Sequence, residues 1–463
     1  MKNYSIYILL FIYAILATLT IVFFDGTGDA GDSVHHYQFA RYAPYHVELF
    51  FDHWAKPFFV LLSSPFAQFG FVGMKVFNVL VTFFTLFFTF KTLQKLKISN
   101  AIVGAIFLLF SPLCFVLTFS GLTEPLFGLF LIVGLYALLD GKLILSSVLI
   151  SFLPFIRSEG LIFLVIFGLY FLLKKQWKFI PLLLVGHVTY MFLGYFVHKD
   201  FFWVFNKIPY AKLSSTYGQG KMFHFVEQMN YVIGVPIYIL FGLGVISIVW
   251  KSIKKNVAFE VRSIVFLGFL SFFIAHTLFW YFGIFNSMGL NRVLIGVAPF
   301  IAIIALFGYN FATEEIFKNK KSLRLIFQGL LLFYVLIFPF TSNPAAINWE
   351  KDLKLSKDQK TAVLVADFIA SRENFEQKYF FAHPYLGEAL KIDYFDENKR
   401  QSLINYKSAM QSGDILIWEN WFAVVEHRII KEELDSNEEL ECLYNYNVWD
   451  EGREIHYAVY EKK

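Results

Sequence analysis

Up to residue 342 the chain is a succession of apolar runs broken by short polar clusters. A helical run of about twenty apolar residues matches the ~30 Å hydrocarbon core of a bilayer. The pattern predicts about eleven spans, some of them shorter than this, at residues 4–24, 71–90, 101–119, 124–139, 143–156, 160–173, 178–197, 231–250, 263–282, 292–311 and 323–341. Beyond 342 the chain is more polar and its apolar runs are short. Residues 362–365, 379–382 and 414–418 read as strands, while 362–372 and 400–411 compete as helices. The fold class predicted is an all-α polytopic membrane domain over 1–342, followed by a small soluble α/β domain over 343–463. No internal repeat of fixed period is visible.

The first run, Tyr4 to Phe24, exceeds the apolar region of a signal peptide, and no A-x-A-type cleavage site follows it. It reads as an uncleaved first span. Simple alternation of the spans then brings the basic loops to one side: Lys91, Lys95 and Lys97; Lys142; Lys174, Lys175 and Lys178; Lys251, Lys254 and Lys255; Lys318, Lys320, Lys321 and Arg324, with Lys2. By the positive-inside rule that side is cytoplasmic. The odd number of spans leaves the C-terminal tail outside.

Composition supports this picture. Of 463 residues, 57% are hydrophobic and only 16% charged, and 59 are Phe. A soluble domain carries about a quarter charged residues. The net charge of +4 says little about partners, and no basic stripe of the nucleic-acid type is present. Cys114 and Cys442 do not make a disulfide framework.

Charge at membrane depth is costly and needs a reason. Four clusters carry it, all on the outer side. The first is Asp25-Gly-Thr-Gly-Asp29-Ala-Gly-Asp32-Ser-Val-His35-His36, where carboxylates and imidazoles together supply a general base or hold a cation. A helix starting near Asp32 would place Asp32 and His36 on one face, a weak metal pair, so a divalent metal stays open although no recognised ligand spacing requires one. The plain alternative is a glycine-rich turn with Asp32 as N-cap. The second is His53-Trp54-Ala55-Lys56-Pro57, with His53 and Lys56 as substrate or phosphate contacts, or Trp54 and Lys56 as ordinary interfacial anchors. Between these two, Tyr37 to Phe51 reads as a helix lying in the interface. The third is Ser120-Gly-Leu-Thr123-Glu124-Pro125, where Pro125 suits a helix start and capping competes with a functional role. The fourth is Pro154-Phe-Ile-Arg157-Ser158-Glu159-Gly160. The runs beside it are about fourteen residues each, or ~21 Å as helix. Arg157 and Glu159 should therefore sit below the outer surface, in protein or in a wet recess. Arginine there suits a phosphate, with a structural ion pair as the alternative. Arg292, at the start of a late span, is a further phosphate candidate. His187 and His276 read as packed imidazoles within spans.

In layout and motifs the chain resembles the GT-C superfamily of membrane glycosyltransferases, which use polyprenyl- or dolichyl-phosphate sugars. The features are the acidic loop after the first span (Asp25, Asp29, Asp32), the interface segment ending in His53 to Pro57, the Thr123-Glu124-Pro125 turn, the Arg157-Ser158-Glu159-Gly160 hairpin similar to mannosyltransferase branches, and Arg292 at a late helix mouth. In the tail they are His383-Pro384-Tyr385 and Asp414 to Glu419. Where the family carries Asp-Glu, Asp32 is followed by Ser33, so the base falls to Asp32 or its neighbour Asp29. The resemblance implies inverting transfer of a hexose, mannose-like, from a polyprenyl phosphate in the membrane lipid to an acceptor hydroxyl of a glycan, glycolipid or protein. It implies an active site on the extracytoplasmic face of a bacterial inner membrane. Asp32 or Asp29 would be the base, Arg157, Arg292 or Lys56 would neutralise the phosphate, and Glu124 and Glu159 would orient the sugar or those cations. A flippase for a lipid-linked sugar is the rival reading; transporters, however, favour repeated halves and midplane charges.

Overall fold

The computed structural model describes residues 4–211, 213–315, 321–372 and 377–463. Of the basic residues that orient the chain, Lys2, Lys318 and Lys320 lie outside these. The chain opens with α1, Ser5–Phe23. Next come α2, Asp32–Tyr42, α3, Pro57–Ala67, and α4, Gly70–Lys95. The interface helix expected over 37–51 is thus displaced. It begins at Asp32, where a carboxylate suits a helix N-terminus, and ends at Tyr42, followed by a 3₁₀ turn at Val47–Phe51. Residues 57–67, expected as loop, form the short apolar α3.

The expected span 101–119 divides into α5, Ala101–Leu109, and α6, Pro112–Leu117. Proline has no N–H to continue a helix but suits the first position of a new one, so Pro112 starts α6. Three short helices follow: α7, Glu124–Leu139, α8, Leu143–Ser151, and α9, Gly160–Leu173. The rest of the bundle is α10, Val185–His198, the single turn α11, Trp203–Asn206, α12, His224–Ile233, α13, Val235–Ile253, α14, Leu267–Phe282, α15, Ala298–Asn310, and α16, Lys321–Ile337. Among the described residues seven helical stretches are long and apolar enough to cross a bilayer, and shorter apolar helices stand between them.

The stretch Asn291–Glu314, which includes α15, is almost wholly buried at the bundle centre. Small residues let α13 approach it closely. A Cβ on Gly308 would lie 1.8 Å from the Leu240 carbonyl oxygen, and one on Gly244 would lie 1.9 Å from that of Ile304. The outer faces of α1, α10 and α16 instead expose Phe11, Phe23, Phe196 and Phe333, which a bilayer would solvate. Helix α7 spans only ~24 Å. One of its ends is Glu124; the other leads to Asp140, which pairs with Lys95 at 2.5 Å and Lys142 at 2.9 Å. The loops bearing Lys95 and Lys142 therefore lie at the end of α7 opposite the Thr-Glu-Pro turn.

The C-terminal region is a five-stranded mixed sheet ordered β2-β1-β3-β5-β4. Its strands are β1, Tyr379–Phe381, β2, Arg400–Ser402, β3, Ile415–Glu419, β4, Leu440–Asp450, and β5, Arg453–Lys462. β1 pairs in parallel with β2 and β3, and β5 pairs antiparallel with β3 and β4. Side chains alternate across the sheet. Ile415, Ile417, Tyr457 and Val459 meet Ala362, Val365 and Ile369 of α17, Lys357–Ala370, on one face. Leu416, Trp418, Ala458 and Tyr460 pack with Leu403, Tyr406 and Met410 on the other. Of the competing elements, 362–370 lies within a helix rather than a strand. Of the helix expected over 400–411, Leu403–Asn405 forms a 3₁₀ turn and Tyr406–Ala409 a single helical turn, while Arg400–Ser402 is strand β2, which completes the parallel sheet edge beside β1. This domain sits on α2: Gln38 Nε2 donates to the Pro384 carbonyl at 2.7 Å, the Tyr42 hydroxyl donates to that of Ile392 at 3.0 Å, and His46 Nε2 lies 2.9 Å from Asp393 Oδ2.

Candidate active site

Arg157 is the hub of a buried network. It lies in the short hairpin between α8 and α9. Its Nη1 donates to Thr123 Oγ1 at 3.0 Å and lies 2.8 Å from Glu124 Oε1. Its Nη2 donates to Glu159 Oε1 at 2.9 Å. Thr123 thus serves Arg157 rather than the amides of α7, which have no side-chain cap. Glu124 is 1% exposed, and its Oε2 has no hydrogen-bond partner among the described residues. Arg292, brought in by the central helix, reaches Glu124 Oε1 with its Nε at 3.6 Å. Its two remaining nitrogens pair with the carboxylates of Asp29 and Asp32.

The two aspartates differ in what else they do. Asp29 Oδ1 accepts from the amides of Gly31 and Ser33, at 2.9 and 3.0 Å. Asp29, and not Asp32, therefore caps the start of α2. Asp32 has no such task and is 45% exposed at the mouth of the network. Its pKa is pushed up to about 6, first by its recessed position and then by the Glu124 and Glu426 carboxylates, against Arg157. The loop is tied to the next turn by Ser33, whose hydroxyl donates to the Thr27 carbonyl at 2.5 Å and accepts from Gly121 N–H at 2.7 Å. Gly121 permits that approach, since a Cβ there would lie 2.4 Å from the Ser33 carbonyl oxygen. Asn78 of α4 donates to the carbonyls of Ser120 and Leu122, at 2.7 and 3.2 Å, and fixes the same turn.

Lys56 approaches from the other side. Its Nζ donates to Ser158 Oγ at 3.0 Å and to the His53 carbonyl at 3.1 Å. Burial lowers its pKa to about 8, opposed by Glu159. Arg157 and Arg292 are already matched by carboxylates, whereas both of these Lys56 partners are neutral.

Of the residues singled out from sequence, Asp29, Asp32, Glu124, Arg157, Glu159 and Arg292 form one connected network, and Lys56 joins it through Ser158. His53 is placed differently: its Nε2 bonds the Val204 carbonyl at 3.0 Å and its ring faces Trp203. His36 stacks on Trp54 at 4.9 Å and meets the edge of Phe59. Among the described residues no group of three or more His, Cys, Asp or Glu is arranged to hold a metal ion.

Several participants were not singled out. His276, read as a packed residue, has its Nε2 3.4 Å from Glu159 Oε1. Its signal was present: an imidazole inside an apolar span is a polar group at membrane depth. His187 does pack, between Phe155 and Phe205. Tyr217 and Glu426, joined by a 3.1 Å hydrogen bond at the mouth, had no local signal, being 209 residues apart.

The fold is a bundle of membrane-length and shorter apolar helices carrying a C-terminal mixed-sheet domain. Among solved structures, ArnT from Cupriavidus metallidurans bound to undecaprenyl phosphate matches with a TM-score of 0.62 at 10% identity, over 99% of this chain and 98% of that one. The apo state of the same protein matches with a TM-score of 0.60 at 11% identity, over 97% of each chain. The likeness includes both the membrane helices and the C-terminal domain. No protein-family model matches the sequence, and no curated protein does.

Proposed function

We propose that this protein is an inverting glycosyltransferase. It moves a hexose, mannose-like, from a polyprenyl phosphate to an acceptor hydroxyl at the extracytoplasmic membrane face. The observation that carries the reading is the convergence of three cations, Lys56, Arg157 and Arg292, with the open carboxylate of Asp32 at one end of the bundle. The ArnT fold supports it, since that protein has been seen with undecaprenyl phosphate.

In this mechanism the acceptor oxygen attacks the anomeric carbon and its proton passes to Asp32 as general base. The bond from the anomeric carbon to the phosphate oxygen breaks, and the lipid phosphate leaves with one more negative charge. Cations held in a recess stabilise that charge more strongly than they would in water. Asp32 is preferred to Asp29 as base because an Asp29 oxygen is committed to two loop amides. Arg292 pairs with Asp32 before the donor arrives. An incoming phosphate competes for that guanidinium and leaves the carboxylate free to accept a proton. Glu124 Oε2, buried and unpaired, is placed to accept from a sugar hydroxyl.

Incubating the purified protein with radiolabelled polyprenyl-phosphate hexoses and a crude envelope fraction tests the reaction. Label should pass to the acceptor fraction; label that crosses a vesicle uncleaved would instead make the protein a flippase. Lys56→Met should raise the Kd for undecaprenyl phosphate about tenfold or more, by removing a charge-assisted contact. Titration of tryptophan fluorescence checks it, and parental affinity would remove Lys56 from the phosphate site. The sidedness follows from the lysine distribution and has its own test. Cys442 is exposed in the C-terminal domain and Cys114 is buried in the bundle. A membrane-impermeant maleimide should label Cys442 in cells whose outer barrier is opened but whose inner membrane is intact.

A further inference from the structure

The helix α17 begins with a reciprocal cap: Ser356 Oγ accepts from the Gln359 amide at 3.1 Å, and Gln359 Oε1 accepts from the Ser356 amide at 3.0 Å. Glutamate and glutamine serve equally in such a cap, because only the side-chain oxygen is used. Here the other end of the Gln359 amide is also engaged. Its Nε2 donates to Thr27 Oγ1 at 2.7 Å, and the two residues are 1% and 4% exposed.

From Thr27 the bonds continue through the loop that carries Asp32. The Thr27 hydroxyl donates to the Asp29 carbonyl at 2.6 Å. The Thr27 carbonyl accepts from Ser33 Oγ, which in turn holds Gly121. The loop is thus pinned on both sides of Asp32 and to the turn before Glu124. The directions are set. Thr27 has one hydroxyl hydrogen, already given to Asp29, so its partner must be a donor. Backbone contacts reinforce the junction: Leu355 N–H donates to Asp25 Oδ1 at 3.0 Å, and Gly26 N–H to the Leu353 carbonyl at 2.8 Å.

We propose that the C-terminal domain sets the conformation of the catalytic loop, with Gln359 and Thr27 as positioning residues for Asp32. The inference rests on reading Asp32 as the base. Gln359 touches no reacting atom; it acts through Thr27 and Ser33.

The test uses full-length protein in nanodiscs with two variants. Gln359→Glu keeps the helix cap but replaces the donor with an acceptor, and Thr27→Val removes the hydroxyl from the other side. Both should lower kcat by about tenfold or more, since small displacements of a reacting group cost that much. The Kd for undecaprenyl phosphate should stay within about twofold of the parent. Amide exchange across residues 26–35 should quicken by about tenfold, while exchange within α17 stays unchanged. Thr27→Ser should keep both kcat and loop exchange at parental values. Parental kcat and parental loop exchange in both variants would overturn the inference. So would a loosening of α17 equal to that of the loop, because the contact would then serve domain stability alone. A parent that transfers no sugar counts against the enzymatic reading instead, and loop exchange then still decides whether the domain holds the loop.

Discussion

Asp32→Asn should reduce sugar transfer by about 10²- to 10⁴-fold, the range that a positioned general base contributes. The substitution keeps the size of the side chain and removes its ability to take the acceptor proton. The protein should fold normally, because Asp32 lies at an open mouth and the cap of α2 depends on Asp29. Affinity for undecaprenyl phosphate should hold or rise, since Arg292 loses a competing carboxylate. Transfer rates and lipid titration on the same preparation separate these effects; turnover at the parental rate would take Asp32 out of the mechanism. A pH profile adds an independent check. The base must be ionised, so activity should fall as pH drops through about 6. Lys56 must be charged to hold phosphate, so activity should also fall as pH rises through about 8. The expected profile is a bell between these values, and Lys56→Met should lose the alkaline limb.

Arg157→Met should be the most destabilising single change in the membrane domain. It leaves Glu124 and Glu159 buried with their main counter-charge gone. Removing one member of a buried ion pair costs about 3–5 kcal/mol, because the remaining charge stays desolvated. Low yield and a large fall in the thermal midpoint in detergent are the expected observations. Adding Glu124→Gln and Glu159→Gln to Arg157→Met should recover much of that loss while activity stays absent, because the network's neutral form no longer strands a charge. A single variant with the parental midpoint would show that the guanidinium is not what balances these carboxylates.

The membrane character, the helical spans and the unusual residues were legible in the chain itself. Apolar periodicity and run length are local properties, so the expected spans fall largely on helix, although 101–119 divides at Pro112, 231–250 divides at Gly234, and seven stretches among the described residues are long enough to cross a bilayer. The same rule marked Arg157 and Glu159, since short runs on either side force the hairpin between them below the surface. Applied to His276, it flags an imidazole in an apolar run but not its place beside Glu159. Local pattern misjudged the start of the region 400–411, where Arg400–Ser402 pairs with β1 as a strand. It also did not show that Pro112 ends one helix and starts another.

What tertiary structure alone decided is who pairs with whom. Arg292 meets Asp32 across 260 residues of chain, and Gln359 meets Thr27 across 332. Asp29 and Asp32 look equivalent in sequence; only the folded loop gives one the task of capping and leaves the other open. His53 and Lys56 stand three residues apart, yet one braces Val204 and the other faces Ser158. The reason is physical. Hydrophobicity tells each segment which solvent to seek, and that information is carried residue by residue. The partner of a buried charge is fixed by the packing of helices from distant parts of the chain, and no single segment contains it.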